Sequence, residues 1–140
     1  MERCIVKLDE QSFSKKEERF NKIIKEASTQ SGRQIVPTIL KPTNFKNIIE
    51  NIEKYDIVLL PYENEKNVSL KQVIKAYLKS GKPFQNIAII IGPEGGFSQG
   101  EIDMISKMPN VYLCTLGKRI LRTETAGLAV VSMITYEIEL

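Results

Sequence analysis

The chain has 140 residues, 42% hydrophobic and 26% charged, which is typical of one globular domain. No apolar run approaches the roughly 20 residues of a membrane span, and the charged N-terminus lacks a secretory pattern. The chain contains no histidine, so histidine-based nucleophiles and histidine zinc sites are excluded within it. The two isolated cysteines, Cys4 and Cys114, have no metal-ligand spacing and fit a reducing cytoplasm. The net charge of +3 is by itself weak evidence for nucleic acid binding.

Five strands are expected, each a short apolar run bounded by turn residues. They cover residues 4–8, 35–40, 56–61, 87–91 and 111–115. The runs at 57–60 and 87–91 are apolar throughout, which is typical of parallel strands that are covered on both faces. Pro37 places the second strand at an edge or at a strand end, because proline has no amide hydrogen to donate.

Helices are expected between the strands, and three of them begin at capping boxes. The boxes are Ser14–Glu17, Ser69–Gln72 and Ser98–Glu101. Helical spacing of apolar residues predicts a short helix over residues 44–53 and a last helix from Thr123. Gly32 and Gly81 are expected to mark helix ends. Alternating strands and helices predict one α/β domain over residues 1–140, with a mostly parallel sheet and helices on both faces.

The last helix is apolar around its whole circumference from residue 126 to residue 134. Such a helix is buried on most sides, either at the centre of the domain or at a subunit interface. The alternative is an ordinary, well-covered core helix. Gly127 costs about 1 kcal/mol in a helix interior, so a close backbone approach is expected there.

Two late loops carry the candidate chemistry. Residues 91–101 read IGPEGGFSQGE, and residues 116–127 read LGKRILRTETAG. Each loop follows a predicted strand and leads into a predicted helix. Because the carboxyl ends of parallel strands share one edge of the sheet, both loops are expected at a ligand-binding edge.

The first of these loops is rich in glycine. Gly92, Gly95 and Gly96 permit positive φ and a close approach of a ligand to the backbone. Glu94 is left at the strand tip, beside amides and the positive end of the next helix. The alternative is a tight strand-to-helix turn with incidental glycines. No Gly-Lys-Ser/Thr follows, so nucleotide hydrolysis at a phosphate-binding loop is set aside.

The second loop combines cations with apolar residues. The cations are Lys118, Arg119 and Arg122, and the apolar residues are Ile120 and Leu121. Cations are unfavourable at a helix start, so an anion is expected to offset them: an RNA phosphate, a developing negative charge, or Glu124. The apolar pair predicts a flat slot for a nucleobase or adenine. The alternative is a solvated basic turn with local ion pairs.

Residues 91–101 and 116–126 resemble the two signature motifs of the ribosomal RNA small subunit methyltransferase E family. That family belongs to the SPOUT, or α/β-knot, methyltransferases. Upstream, residues 3–8 resemble the strand before the family's long helix, and residues 26–33 with Pro37 resemble its helix end and next strand. The resemblance covers nearly the whole chain. It implies a trefoil-knotted domain, although knots are essentially absent from other proteins.

The resemblance implies methyl transfer from S-adenosyl-L-methionine to the uridine ring nitrogen N-3 in 16S ribosomal RNA of the small subunit. It implies a homodimer with the last helix, residues 123–138, at the interface, and no part for a metal or a membrane. Family members also carry an N-terminal β-barrel RNA-binding domain and a first strand–helix unit, which are expected to be missing here. The alternative function is a non-catalytic RNA-binding or dimerisation module that retains the fold.

The family's site residues carry over to matching positions of this sequence. The cofactor is expected among three loops, held mainly by main-chain groups. The residues expected to bind the cofactor are Leu60, Pro61, Gly92, Pro93, Glu94, Gly95, Gly96, Leu116, Gly117, Ile120, Leu121, Arg122 and Thr123. Arg33, Lys118 and Arg119 are the candidate RNA contacts.

Three residues are the candidates for catalysis of methyl transfer. Glu124 or Glu94 would take the uracil N-3 proton, and Arg122 would stabilise the negative charge that spreads onto the uracil oxygens. The alternative for Glu124 is a structural ion pair with Arg119 or Arg122 at the helix start.

Overall fold

The structure is a computed structural model that describes residues 1, 3 and 10–139. The side chains of Glu10 and Glu139 are not included in this description. The strand expected at residues 4–8 lies outside this part of the chain. The chain divides into two compact units. The smaller unit is Val6–Asn44, and the larger one contains Met1–Ile5 and Phe45–Leu140. Within the described residues, no helix is long and apolar enough to cross a membrane.

The smaller unit contains one long helix, α1 (Glu10–Gln30). Ser14 lies inside this helix, so its prediction as the N-cap was wrong. The helix begins at Glu10, about one turn before the predicted start, and Phe13 in this added turn is buried with its ring 6.4 Å from that of Phe20. The predicted end is confirmed, because α1 stops two residues before Gly32.

The strand predicted at residues 35–40 is not formed, and that prediction was wrong. Ile35 is 84% exposed and Leu40 is 79% exposed, so neither side chain gains burial. Pro37 and Pro42 both lack an amide donor. Among the residues that the structure describes, this apolar run has no pairing partner, and it stays irregular.

The larger unit is built on a parallel sheet. Its described strands are β1 (Ile57–Pro61), β2 (Ile87–Ile89) and β3 (Val111–Cys114), in the order β2-β1-β3. Residues 57–60 of β1 are fully buried, as their apolar run predicts. Strand β2 is shorter than expected and only half-buried, because it pairs with one described strand rather than two.

Helices cover both faces of this sheet, which confirms the predicted architecture. They are α2 (Phe45–Glu50), a 3₁₀ turn (Ile52–Lys54), α3 (Leu70–Lys79), α4 (Gln99–Ile105) and α5 (Thr123–Glu139). Ile57 and Leu59 share a core with α3 and α5. Val58 and Leu60 share the opposite core with α2 and α4. Because successive strand side chains point to opposite faces, one apolar run fills both layers.

Only one side of α5 is buried. Ala126, Val130 and Ile134 recur every four residues and face the core. Leu128 is 72% exposed and Tyr136 is 64% exposed. The alternative of a well-covered core helix is therefore wrong for the single chain. The expected close approach at Gly127 is not found either, since an added Cβ would lie at an ordinary 3.9 Å from Ile91 Cγ1.

Candidate functional site

The three parallel strands end at the same edge of the sheet, and the loops that follow them line one cleft. The cleft has a volume of about 1100 Å³. We call the loops wall 1 (residues 61–66, after β1), wall 2 (residues 91–97, after β2) and wall 3 (residues 115–124, after β3). Because the strands run in parallel, each carboxyl end leads directly into a wall. This is the edge at which the sequence predicts a ligand.

Wall 2 keeps its shape through two glycines. The amide of Gly96 donates to the carbonyl oxygen of Pro93 across 2.8 Å, and Gly96 has a φ of 68°. Residues with a side chain rarely adopt this conformation. The ring of Phe97 is buried against Gly92, where an added Cβ would lie 3.0 Å from Phe97 Cε2. Wall 2 therefore presents backbone, not side chains, to part of the cleft.

The end of wall 2 is fixed by the start of α4. The Ser98 amide donates to Glu101 Oε2 across 3.0 Å, and the Glu101 amide donates to Ser98 Oγ across 3.2 Å. Both residues are buried. The predicted capping box is confirmed, and it anchors the glycine loop to the body of the unit.

Wall 3 leads into the N-terminus of α5, which is tied to wall 2. Thr123 Oγ1 donates to the Gly92 carbonyl oxygen across 3.1 Å. The Ala126 amide donates to the Arg122 carbonyl oxygen across 2.7 Å and closes the first helical turn. The first helical amides, which have no partner within the helix, carry partial positive charge. Wall 3 thus adds a positive helix end to the cleft.

Wall 1 contacts wall 2 and the end of β3. The Tyr62 amide donates to the Cys114 carbonyl oxygen across 2.9 Å, at the point where β3 enters wall 3. The carboxylate of Glu63 lies against Gly96, where an added Cβ would come within 2.8 Å of Glu63 Oε1. The amides of Asn67 and then Val68 donate to the Glu65 carboxylate and lower its pKa below the usual range. Two carboxylates of wall 1 are thereby held in defined places.

Charges of both signs line the cleft. The carboxylates belong to Glu63, Glu65, Glu94 and Glu124, and the cations to Lys66, Lys118, Arg119 and Arg122. Within the described chain, none of these eight side chains takes part in an ion pair. The structure therefore does not contain the local pair of Glu124 with Arg119 or Arg122. The arrangement suits a ligand that carries both positive and negative groups.

Most of the predicted site residues meet in this cleft. Those that line it are Pro61, Gly92, Pro93, Glu94, Gly96, Leu116, Gly117, Lys118, Arg119, Ile120, Leu121, Arg122, Thr123 and Glu124. Leu60 is buried in the core, so it can reach a ligand only through its main chain. Gly95 accepts a hydrogen bond from Arg3 Nη1 across 3.3 Å. Arg33 is exposed in the smaller unit.

The sequence interpretation missed several residues of the cleft. Glu65 and Lys66 belong to wall 1, and Thr115 begins wall 3. The available signal for Glu65 and Lys66 was their position in the loop after a predicted strand, whereas Thr115 was predicted as the last residue of a strand and β3 ends one residue earlier. In the part of the chain that the structure describes, no group of three or more acidic or cysteine side chains is arranged to hold a metal ion.

Comparison with known proteins relates nearly the whole chain to RNA methyltransferases. A family model described as RNA methyltransferase domain matches residues 1–135. Ribosomal RNA small subunit methyltransferase E of Bacillus subtilis (strain 168) is 36% identical over 138 residues, which are 99% of this chain and 54% of that protein. The Mesomycoplasma hyopneumoniae (strain 232) protein of the same name is 36% identical over 116 residues, 83% of this chain and 47% of that protein. The chain thus spans about half the length of these relatives.

Solved structures show the same similarity. A putative methyltransferase from Legionella pneumophila, in complex with the bound cofactor SAM, has a TM-score of 0.80 and 31% identity. The match covers 98% of this chain and 52% of that one. Ribosomal RNA small subunit methyltransferase E from Neisseria gonorrhoeae, bound to S-adenosyl methionine, has a TM-score of 0.73 and 31% identity, covering 96% and 52%.

Proposed function

The chain belongs to the RNA methyltransferase domain family, as its two late motifs predicted, and we propose that it methylates small-subunit ribosomal RNA with S-adenosylmethionine as donor. The observation that carries this proposal is the three-walled cleft. It combines glycine backbone, a helix N-terminus and charges of both signs, which form no ion pairs among the described residues, at one sheet edge. The similarity to known methyltransferases supports the class of reaction, and the cleft contains residues that suit this reaction.

The residues of the cleft fit S-adenosylmethionine, a nucleoside with both positive and negative groups. The cleft volume of about 1100 Å³ lies slightly above the usual range of small-molecule sites, which is roughly 300–1000 Å³. Gly92 and Gly96 allow close main-chain contact, and the half-buried Leu116 and Leu121 offer apolar surface for the adenine. When bound, this cofactor supplies an electrophilic methyl group on its sulfonium. We further propose that the methyl group is transferred to the uridine ring nitrogen N-3 in 16S ribosomal RNA.

Walls 2 and 3 contain the groups that this transfer requires. The N-3 proton must leave the uracil, and the carboxylate of Glu124 or Glu94 takes it in our proposal. Arg122 stabilises the negative charge that develops on the uracil oxygens. The hydrogen bond from Thr123 to Gly92 holds Arg122 and Glu124, its two neighbours in sequence, beside wall 2.

Calorimetric titration and methyl transfer to 16S ribosomal RNA test this function. We expect the wild-type chain to bind S-adenosylmethionine, and Arg122→Ala and Glu124→Gln to slow transfer by roughly 100-fold or more while cofactor binding persists. Comparing the transfer rates of Glu124→Gln and Glu94→Gln identifies which carboxylate is the base. Glu53→Gln, in the 3₁₀ turn outside the cleft, is the matched control. Mass spectrometry of the nucleosides locates the methyl group.

Two outcomes would contradict the proposal in different ways. A folded wild-type chain that does not bind S-adenosylmethionine would remove the cofactor assignment. A chain that binds the cofactor and RNA without methyl transfer would favour the alternative, a non-catalytic RNA-binding or dimerisation module.

We also propose that the chain forms a homodimer through the exposed side of α5. Leu128, Val131 and Tyr136 give this side a large apolar area, and such areas mark association surfaces. Leu128→Glu is expected to convert a dimer to a monomer in light scattering. Met104→Glu, at a 49% exposed apolar residue of α4, is the control. The trefoil knot, the organisation as one domain and the cytoplasmic location stay predictions.

A further inference from the structure

The positive charge of the larger unit is concentrated on and around α3. Residues 66–82 contain five lysines and no acidic residue. No aspartate or glutamate occurs from Lys66 to Pro93. Since the whole chain carries a net charge of +3, the residues outside this segment sum to −2. The mild excess of positive charge in the whole chain is therefore the sum of a strongly basic segment and a slightly acidic remainder.

The lysines of α3 follow one face of the helix. Lys71, Lys75 and Lys79 are spaced four residues apart, so each step along the axis is about 6 Å. The side chains of Lys71 and Lys75 are 61% and 55% exposed. Lys66 lines the cleft just before the helix, and Lys82 follows it with Nζ 6.0 Å from the Tyr77 ring centre. We call these five residues the lysine track.

Two features stabilise the orientation of the track. The opposite face of α3, with Val73, Ile74 and Tyr77, is buried in the core, so the helix cannot turn its lysines inward. Glu137 of α5 pairs with Lys71 Nζ at 3.3 Å and with Lys75 Nζ at 3.9 Å. Because the Glu137 side chain is only 14% exposed, it aligns two lysines while it presents little negative charge to solvent.

The ligand with matching chemistry is a nucleic acid strand. Lysines in a row bind successive phosphates, and this contact is independent of sequence. The track begins at the cleft, where Lys66 is part of wall 1. A strand whose base enters the cleft must leave its flanking phosphates outside it. An acidic protein surface would match the charge, but it would have no reason to start at the cleft.

We propose that the lysine track binds the phosphate backbone of the RNA strand that delivers its base to the cleft. This inference rests on the proposed RNA methyltransferase function and adds a substrate-binding surface to it. The track determines RNA affinity and leaves cofactor affinity unaffected, because only Lys66 lies in the cleft.

The test compares two double variants of equal charge by fluorescence anisotropy with a labelled single-stranded oligouridylate. Lys75→Gln/Lys79→Gln removes two track charges and leaves Lys71 to pair with Glu137. Lys46→Gln/Lys107→Gln removes two exposed lysines, one in α2 and one just after α4, at the opposite face of the sheet. We expect the track variant to bind RNA roughly tenfold more weakly at about 0.1 M salt, with a salt slope lower by about 1.4. The control is expected to retain wild-type affinity and slope.

Two results would overturn the lysine track. The first is wild-type RNA affinity in the track variant; if this variant also loses affinity for labelled polyglutamate, the surface is assigned to an acidic protein. The second is equal weakening in both variants, which indicates a diffuse charge effect. Titration with S-adenosylmethionine separates this inference from the proposed function. If the wild-type chain does not bind the cofactor, the proposed function is contradicted. If the track variant still binds both the cofactor and RNA as the wild type does, only the lysine track is contradicted.

Discussion

Thr123 and Gly92 join the second and third walls of the cleft through one hydrogen bond. Thr123 Oγ1 donates to the Gly92 carbonyl oxygen across 3.1 Å, between residues that are 31 positions apart in the sequence. Thr123 is the first residue of α5, and Gly92 opens the glycine loop. The bond therefore positions the start of α5 relative to backbone that a cofactor would contact.

Substitution Thr123→Val removes this bond at nearly constant volume. We expect the free energy of unfolding to fall by about 1 kcal/mol, because a part-buried carbonyl loses its donor. Cofactor affinity is expected to fall about tenfold as the start of α5 loses its position. Urea denaturation and calorimetric titration measure the two effects. Thr125→Val, at an exposed position of the same helix, is the control. Unchanged cofactor affinity in Thr123→Val would show that the bond does not organise the cleft.

Gly96→Ala is expected to damage wall 2 beyond the usual effect of alanine at positive φ. The added Cβ would lie 2.8 Å from Glu63 Oε1, so the carboxylate must move. Gly81→Ala is a matched control, since Gly81 has a φ of 69° and nothing within 4 Å of an added Cβ. Gly81→Ala should cost about 1–2 kcal/mol of stability, and Gly96→Ala should cost more and weaken cofactor binding.

The double variant Gly96→Ala/Glu63→Ala separates the contact from the backbone strain. It removes the carboxylate and leaves the φ of 68°. Denaturation is expected to show a smaller additional loss than for Gly96→Ala alone. Equal stability of the Gly81→Ala and Gly96→Ala variants would contradict the contact.

Cys114 is expected to be unreactive in the folded chain. Burial, and to a lesser extent the charge of Glu65, raises the pKa of its thiol to about 12 from a usual value of 9.0. In a Cys4→Ser background, a thiol reagent near pH 8 should label Cys114 only after urea unfolding. Rapid labelling of the native chain would contradict this burial.

The same thiol affects stability in alkaline solution. Because its folded pKa lies above the unfolded value, its contribution is complete below pH 9.0 and is lost as pH rises from there toward about 12. The free energy of unfolding should decline more steeply in this range for the wild-type chain than for Cys114→Ala. Parallel pH curves for the two would show that the thiol does not contribute.

Asp56 is expected to affect stability in acid. The amides of Asn86 and Gln85 donate to its carboxylate across 2.8 and 2.9 Å and lower its pKa below the usual 3.8. A lowered pKa gives stability that is present above pH 3.8 and is lost as pH falls through the folded value. Acid denaturation of Asp56→Asn should therefore show a weaker pH dependence below that point. Glu53→Gln, at an exposed site in the 3₁₀ turn, should follow the wild-type curve.

The features that the sequence predicted well depend on neighbouring residues. The apolar run of β1 predicts a strand covered on both faces, and its residues are buried against helices on each side. Ser69 and Ser98 predict helix starts, because each capping box closes within four residues. Ser14 has the same pattern but lies inside α1, since the helix begins one turn earlier at Glu10 and buries Phe13.

The features that the sequence could not predict depend on contacts between distant segments. Residues 35–40 have the apolar character of a strand, but no pattern in a single sequence reveals whether a pairing partner exists. The contact of Glu63 with Gly96 and the bond of Thr123 with Gly92 result from the order of the strands. The two motifs predicted which residues meet in the cleft, while the strand order determines how its walls touch.

The three walls are connected in a closed cycle that runs through the end of β3. Wall 1 contacts wall 2 at Gly96, wall 2 is bonded to Thr123, and wall 1 returns to the end of β3 through Tyr62. A cycle differs from a chain of contacts, because releasing one wall loosens both of its neighbours. The amide hydrogens of Tyr62 and Gly96 should consequently exchange with solvent at one shared opening free energy, so that hydrogen exchange detects the cleft as a single cooperative unit.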